Sequence, residues 1–126
     1  MRVQVYYNLR RKLFSVKALS GELKGRVIAH APIVELDNCI FKVSQAGRKR
    51  VLATRQKNVH AGIEGNLVGF PSQERVVGKA LEGNGFAFGI ARYNPYKYET
   101  FVDESGDPVL SAQTAVLTKN YVLFRS

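Results

Sequence analysis

Tryptophan is absent from this 126-residue chain, cysteine and methionine occur once each, and proline occurs only four times. The single thiol, Cys39, excludes an internal disulfide framework and a zinc site built mainly from thiolates. One Cys with two histidines, His30 and His60, is also too little for a structural zinc site unless carboxylates assist. No long apolar run is present: stretches such as Ala31–Val34 fall far short of a membrane span. The opening MRVQVYYNLRRKLFSVKA alternates polar and apolar from its second residue, without the continuous apolar segment or small-residue cleavage site of a signal peptide. A cytoplasmic protein with no membrane partner is therefore expected. Missing as well are a Gly-x-Ser-x-Gly elbow, a phosphate-binding Gly-Lys-Ser/Thr loop and a dinucleotide fingerprint. Glu99, Asp103, Glu104 and Asp107 lack calcium-loop spacing and read as a solvated hairpin. No cofactor is implied.

Negative charge is scarce. Ten Asp+Glu stand against 19 Lys+Arg, a net +9. Residues 1–60 carry thirteen of the basic side chains against Glu22, Glu35 and Asp37, a net +10, whereas residues 61–126 come to −1. Such asymmetry focuses a positive potential on one part of the fold and speeds encounter with polyanions. A solubilising surface would also be basic. The charges nevertheless fall in two clusters, Arg10-Arg11-Lys12 and Arg48 to Lys57, which favours a binding role.

With 45% apolar residues the chain has enough to pack a core, and its length suits a single domain over 1–126. Period-2 alternation predicts strands at 2–7 and 12–19, forming a hairpin whose tip carries Arg10, Arg11 and Lys12. Further strands are expected at Arg26–His30, ending at Pro32, and at Ile33–Leu36. A turn at Asp37-Asn38 then precedes Cys39-Ile40-Phe41. One helix is predicted near 44–57, with Ser44 as N-cap and Val43 and Val51 on its buried stripe. On that helix Arg48 and Arg55, and likewise Arg50 and Lys57, would stack seven residues apart. Gly47 is costly inside a helix, so a close packing contact is expected there. Strands should resume at 59–63, Leu67–Phe70, Val76–Leu81, Gly85–Ala91, Thr100–Val102, Ala112–Leu117 and Tyr121–Phe124. The expected class is α+β, mostly an antiparallel sheet of short strands.

Three segments carry possible chemistry. Gly85-Phe86-Ala87-Phe88 matches the centre of an RNA-binding aromatic motif. Asn84 replaces the leading cation, and a second strand stands where that fold has its first helix, so Phe86 and Phe88 read as core. Tyr93-Asn94-Pro95-Tyr96-Lys97-Tyr98, with Arg92 before it, suits either a stacking surface for a single strand or a tyrosine-rich turn covering the core edge. His30 and His60 would support metal-independent cleavage of RNA only if their strands were neighbours.

Taken together, VYYNLRRKLFSVKAL, GRVIAHA, FKVSQAGRKRVL, KNVHAGIEG and YNPYKYETFVD resemble a group of small accessory proteins of tailed bacteriophages. The resemblance implies expression in the bacterial host cytoplasm and a role in binding nucleic acid or host machinery; it carries no site residues with it. The expected function is non-enzymatic binding of nucleic-acid phosphates by Arg10, Arg11, Lys12, Arg48, Lys49, Arg55 and Lys57, joined by Arg92, Tyr93, Tyr96 and Lys97. Alternatives are inhibition of a host protein through an acidic surface that fits the basic face, and a ribonuclease using His30 and His60.

Overall fold

Alternation at the start of the chain closes into a hairpin. Strand β1 (Arg2–Asn8) pairs antiparallel with β2 (Leu13–Ala18), placing Val5 opposite Val16 and Tyr7 opposite Phe14. The computed structural model describes residues 1–76 and 88–126. Val3, Val5, Val16 and Ala18 turn inward and are fully buried, as period 2 requires of a half-buried pair. At the tip, the Asn8 side chain accepts from the Arg10 and Arg11 amides, and Lys12 adopts a left-handed φ of 56°. Strand β3 (Val27–Ala31) adds to β2, and Pro32 stops it before the next element.

The expected turn at Asp37-Asn38 is instead a bulge inside one ten-residue strand, β4 (Val34–Val43). Pairing with β5 (Ala61–Gly69) shifts from Asp37 opposite Asn66 to Ile40 opposite Glu64. Asn38 absorbs the extra residue at φ 50°, a conformation Asn tolerates. Gly65 makes room for it, since a Cβ there would lie 2.9 Å from the Asp37 carbonyl oxygen. The turn-forming pair thus bends a strand without ending it. Strand β5 likewise fuses the two segments expected at 59–63 and 67–70, starting at Ala61 and leaving Val59 exposed.

Helix α1 (Gln45–Thr54) begins as predicted, with the Ser44 hydroxyl accepting from the Gly47 amide at 3.2 Å. It ends three residues early. The Thr54 hydroxyl donates back to the Arg50 carbonyl and accepts from the Gln56 amide, and Arg55 caps the end at φ 59°. Arg55 and Lys57 therefore lie off the helical cylinder, and the expected seven-residue stacking does not form. Val51 is buried; Val43 is only half-buried.

Strands β6 (Gly89–Ala91), β7 (Ser111–Leu117) and β8 (Val122–Arg125) join the others, among the described residues, in an antiparallel sheet of eight strands ordered β3-β2-β1-β5-β4-β7-β8-β6. Thr100–Val102 contributes only a bridge, at Val102. Phe14 from β2 joins Ala91 and Val122 from the far end of the sheet in one apolar cluster with Leu36 and Ile63, so the sheet curls around its core. On the other face of β7 and β8, Val116 and Leu123 pack with Ile33 and Val76. Val76 is helical, in a second helical segment described over 73–76, and does not begin the strand expected at Val76–Leu81. Fully burying a valine stabilises by roughly 1.5–3 kcal/mol. That exceeds the few tenths by which a β-branched residue disfavours a helix. The rest of that expected strand, and Gly85–Ala87 with Phe86, lie outside the described residues; Phe88 is half-buried against the second cluster. The architecture is α+β, with one main helix.

Candidate nucleic-acid interface

Helix α1 is held on the sheet by a close approach. Gly47 lies so near His60 that a Cβ on Gly47 would collide with the Cβ of that histidine, which accounts for a glycine inside a short helix. The His60 ring is pinned at both ends. Its Nδ1 lies 3.1 Å from the Asn58 carbonyl oxygen, which can only accept, so Nδ1 carries a proton. Nε2 lies 2.6 Å from the Tyr93 hydroxyl, and in the neutral ring it is the acceptor of that bond. Burial holds the Tyr93 phenol above its ordinary pKa, with the Arg48 charge pulling the other way.

Asn94 shapes the tyrosine loop after Tyr93. Its carbonyl accepts from the Lys97 and Tyr98 amides and its side chain from the Tyr96 amide. Arg48 then clasps the loop to the helix, its Nε donating to the Pro95 and Tyr98 carbonyls at 3.0 Å each. Gln45 adds a bond to the Glu99 carbonyl at 2.8 Å. Arg48 is half-buried and positions the loop; Lys49 is exposed. Arg55 lies 5.6 Å from the centroid of the Tyr96 ring, a cation–π contact on a ring that is 47% exposed.

These elements surround a depression of about 510 Å³. Leu9 of the hairpin tip, Lys57 after the helix, Tyr93 and Tyr96 of the loop, and Lys119 of the β7–β8 turn all line it. The tip cations Arg10, Arg11 and Lys12 adjoin Leu9 and are exposed. Tyr7, Ala61, Tyr93 and Lys119 also line a second, smaller opening of about 190 Å³ beside Arg92. Lys97 is exposed and lines neither. A wider depression of about 980 Å³ lies on the other side of His60. Lys17 and Glu99 both line it, and its Lys42 is paired with Glu64 at 2.7 Å, so it offers no excess of positive charge.

Sequence reading missed Lys119, Tyr7, Asn58 and the role of His60 in the loop. Lys119 had a local signal, a Lys-Asn pair between two strands. Nothing local relates it to Leu9.

The two histidines do not come together. His30 is exposed on edge strand β3, with Nδ1 3.1 Å from the Ser15 hydroxyl. Strands β2 and β1 separate β3 from β5, a span of about 14 Å at the usual strand spacing. Buried Ser15 in turn accepts from Asn8 at 3.1 Å, so His30 belongs to the network that shapes the hairpin tip. Among the described residues, no helix is long and apolar enough to cross a membrane.

Comparison with known proteins places the chain in a phage family. The family described as Mycobacterium phage L5 gene 82 protein matches residues 1–125. The Gene 82 protein of Mycobacterium phage L5 is 37% identical over 129 residues, covering 97% of this chain and 94% of that protein. No solved structure matches. The chain belongs to the family of the Mycobacterium phage L5 gene 82 protein.

Proposed function

We propose that this phage protein binds nucleic acid through the phosphates, using the cations around the groove between the hairpin tip, the end of α1 and the β7–β8 turn. One observation carries the reading: Leu9, Lys57, Tyr96 and Lys119, from four separate segments, line one depression with the tip cations beside it. None of Arg10, Arg11, Lys12, Lys57 or Lys119 forms a salt bridge with a described residue, so their charge is available to a polyanion. Arg55, over Tyr96, adds a cation beside an exposed ring.

Phosphate neutralisation releases counterions, so log affinity should fall linearly with log salt. The test is fluorescence anisotropy of labelled DNA and RNA across a potassium chloride series. Replacing Arg11 and Lys57 with Gln should lower the slope by about 1–2 and weaken binding alike on all sequences. Arg75→Gln, in the helical segment at 73–76, should leave it unchanged. Salt-insensitive binding, or equal loss from Arg75→Gln, would refute the reading. Failure to bind either nucleic acid at low salt would turn the same face toward an acidic host-protein surface.

A further inference from the structure

Resting on the nucleic-acid reading above, we infer that the opening of about 190 Å³ beside Tyr93 takes a single unpaired nucleobase, which makes the ligand a single strand and not a duplex. Pockets for drug-sized ligands run to about 300–1,000 Å³. This one suits one planar ring system. Tyr7, Phe14, Tyr93 and Phe101 line it together with aliphatic Val5, Ile63 and Val122, and Tyr7 meets Phe14 edge-on at 5.3 Å. The tyrosines bring rings with a polar tip, and a base presents both a face to stack and edges to hydrogen-bond.

Position distinguishes this pocket from an ordinary gap under a curled sheet. It shares Tyr7, Ala61, Tyr93 and Lys119 with the cation-rimmed groove, so a chain lying in the groove passes its mouth. Arg92 and Lys119, both exposed, line it as well and meet the phosphates on either side of an inserted base. A base in a duplex is stacked and paired and cannot turn inward without unpairing. Tyr93 is the fixed wall, because His60 holds its hydroxyl and His60 is itself held by Asn58 and wedged against Gly47. His60 is thus a positioning residue for the pocket.

The chain has no tryptophan, so emission from its six tyrosines reports directly on stacking. The experiment compares, with the unmodified protein and at one salt concentration, a labelled 12-nucleotide DNA strand, its duplex, the same strand made wholly abasic, and the RNA of the same sequence. The base-bearing strands should bind about tenfold more tightly than the abasic strand of equal charge and than the duplex. They should quench tyrosine emission, and the abasic strand should not. Base–aromatic stacking is sequence-tolerant and sizeable, which sets this expectation. Tyr7→Leu, which keeps apolar volume but removes a ring packed on the pocket side, should bring the base-bearing strand close to the abasic one, while Tyr7→Phe should bind as the unmodified protein does. Should Tyr7→Leu fail to fold, Tyr96→Leu, in the groove but outside the pocket, should keep the preference for base-bearing over abasic strands, and loss of that preference there overturns the pocket. Equal affinity for strand, duplex and abasic chain, with salt dependence intact, overturns the base pocket and leaves the phosphate reading standing. No binding of any of them at low salt removes both.

Discussion

Replacing Gly47 with Ala sets two physical effects against each other. In a helix interior, Ala is favoured over Gly by about 1 kcal/mol. Gly47 sits inside α1 with ordinary helical φ, so propensity alone predicts a more stable protein. The packing predicts the reverse. The added Cβ would run into the His60 Cβ, part of a side chain tied to both Asn58 and Tyr93. Overpacking of this kind costs typically about 1–3 kcal/mol. Since the clash is with a Cβ held by the backbone and not with a flexible side-chain end, the upper half of that range applies. The expected net change is destabilisation by about 1–2 kcal/mol. Urea unfolding followed by tyrosine emission should show a lower midpoint with an unchanged slope. A double-mutant cycle isolates the cause. In a His60→Gly background the obstructing Cβ is gone, leaving Ser44 Oγ at an ordinary 3.5 Å, so Gly47→Ala should there stabilise by about 1 kcal/mol. Stabilisation by Gly47→Ala in the unmodified background would refute the packing argument, as would the same effect in both backgrounds.

Arg48→Gln loses two charge-assisted bonds to the tyrosine loop and should destabilise by about 1–2 kcal/mol, whereas Lys49→Gln should stay within about 0.5 kcal/mol; thermal melts compare them. Burial, with the Asp37 charge adding to it, pushes the Cys39 thiol up from 9.0 to about 11, so it should resist alkylation at pH 8 until urea unfolds the protein. Because its folded pKa is raised, that thiol's stabilisation is complete below pH 9 and is lost as pH climbs toward 11. Two units correspond to about 2.7 kcal/mol, and water penetration reduces this to about 1–2, readable as a falling urea midpoint over that window. Ser15→Ala leaves the Asn8 amide without its buried acceptor and should destabilise by about 1–3 kcal/mol, with faster amide exchange at Arg10 and Arg11.

The strands were legible where one face alone is buried. In β1, Val3 and Val5 alternate with half-buried Arg2, Gln4 and Tyr6 because that strand has one core side, and pairing with Val16 and Ala18 makes the hairpin. The pattern failed where burial is not one-sided. Ala115, Val116 and Leu117 are all buried, since β7 packs on both faces, and the same second cluster draws Val76 into a helix that its β-branched neighbourhood does not announce. Asp37-Asn38 misled for a different reason: a left-handed Asn signals a local kink, and only the partner strand, with Gly65 opposite, decides between a turn and a bulge. Gly47 was the most informative single residue, because its cost in a helix demanded a neighbour, and His60 supplies it.

Charge is where linear reading and the folded surface part most. Summed along the chain, the second half is nearly neutral and the first half holds all the excess. The groove does not respect that division. Lys119 and Arg92 come from the second half and line its two openings, while the acids at 103, 104 and 107 belong to a separate turn shaped by the Asp103 carboxylate, which accepts from the Ser105 and Asp107 amides. Within the first half, Arg48 points its Nε at loop carbonyls, and Lys42 is paired with Glu64. Potential at a surface depends on which charges lie within about a Debye length of one another, about 8 Å at physiological salt, and not on their order in the sequence. The fold brings Leu9 of the hairpin tip, Lys57 after the helix and Lys119, more than sixty residues beyond Lys57, around one groove.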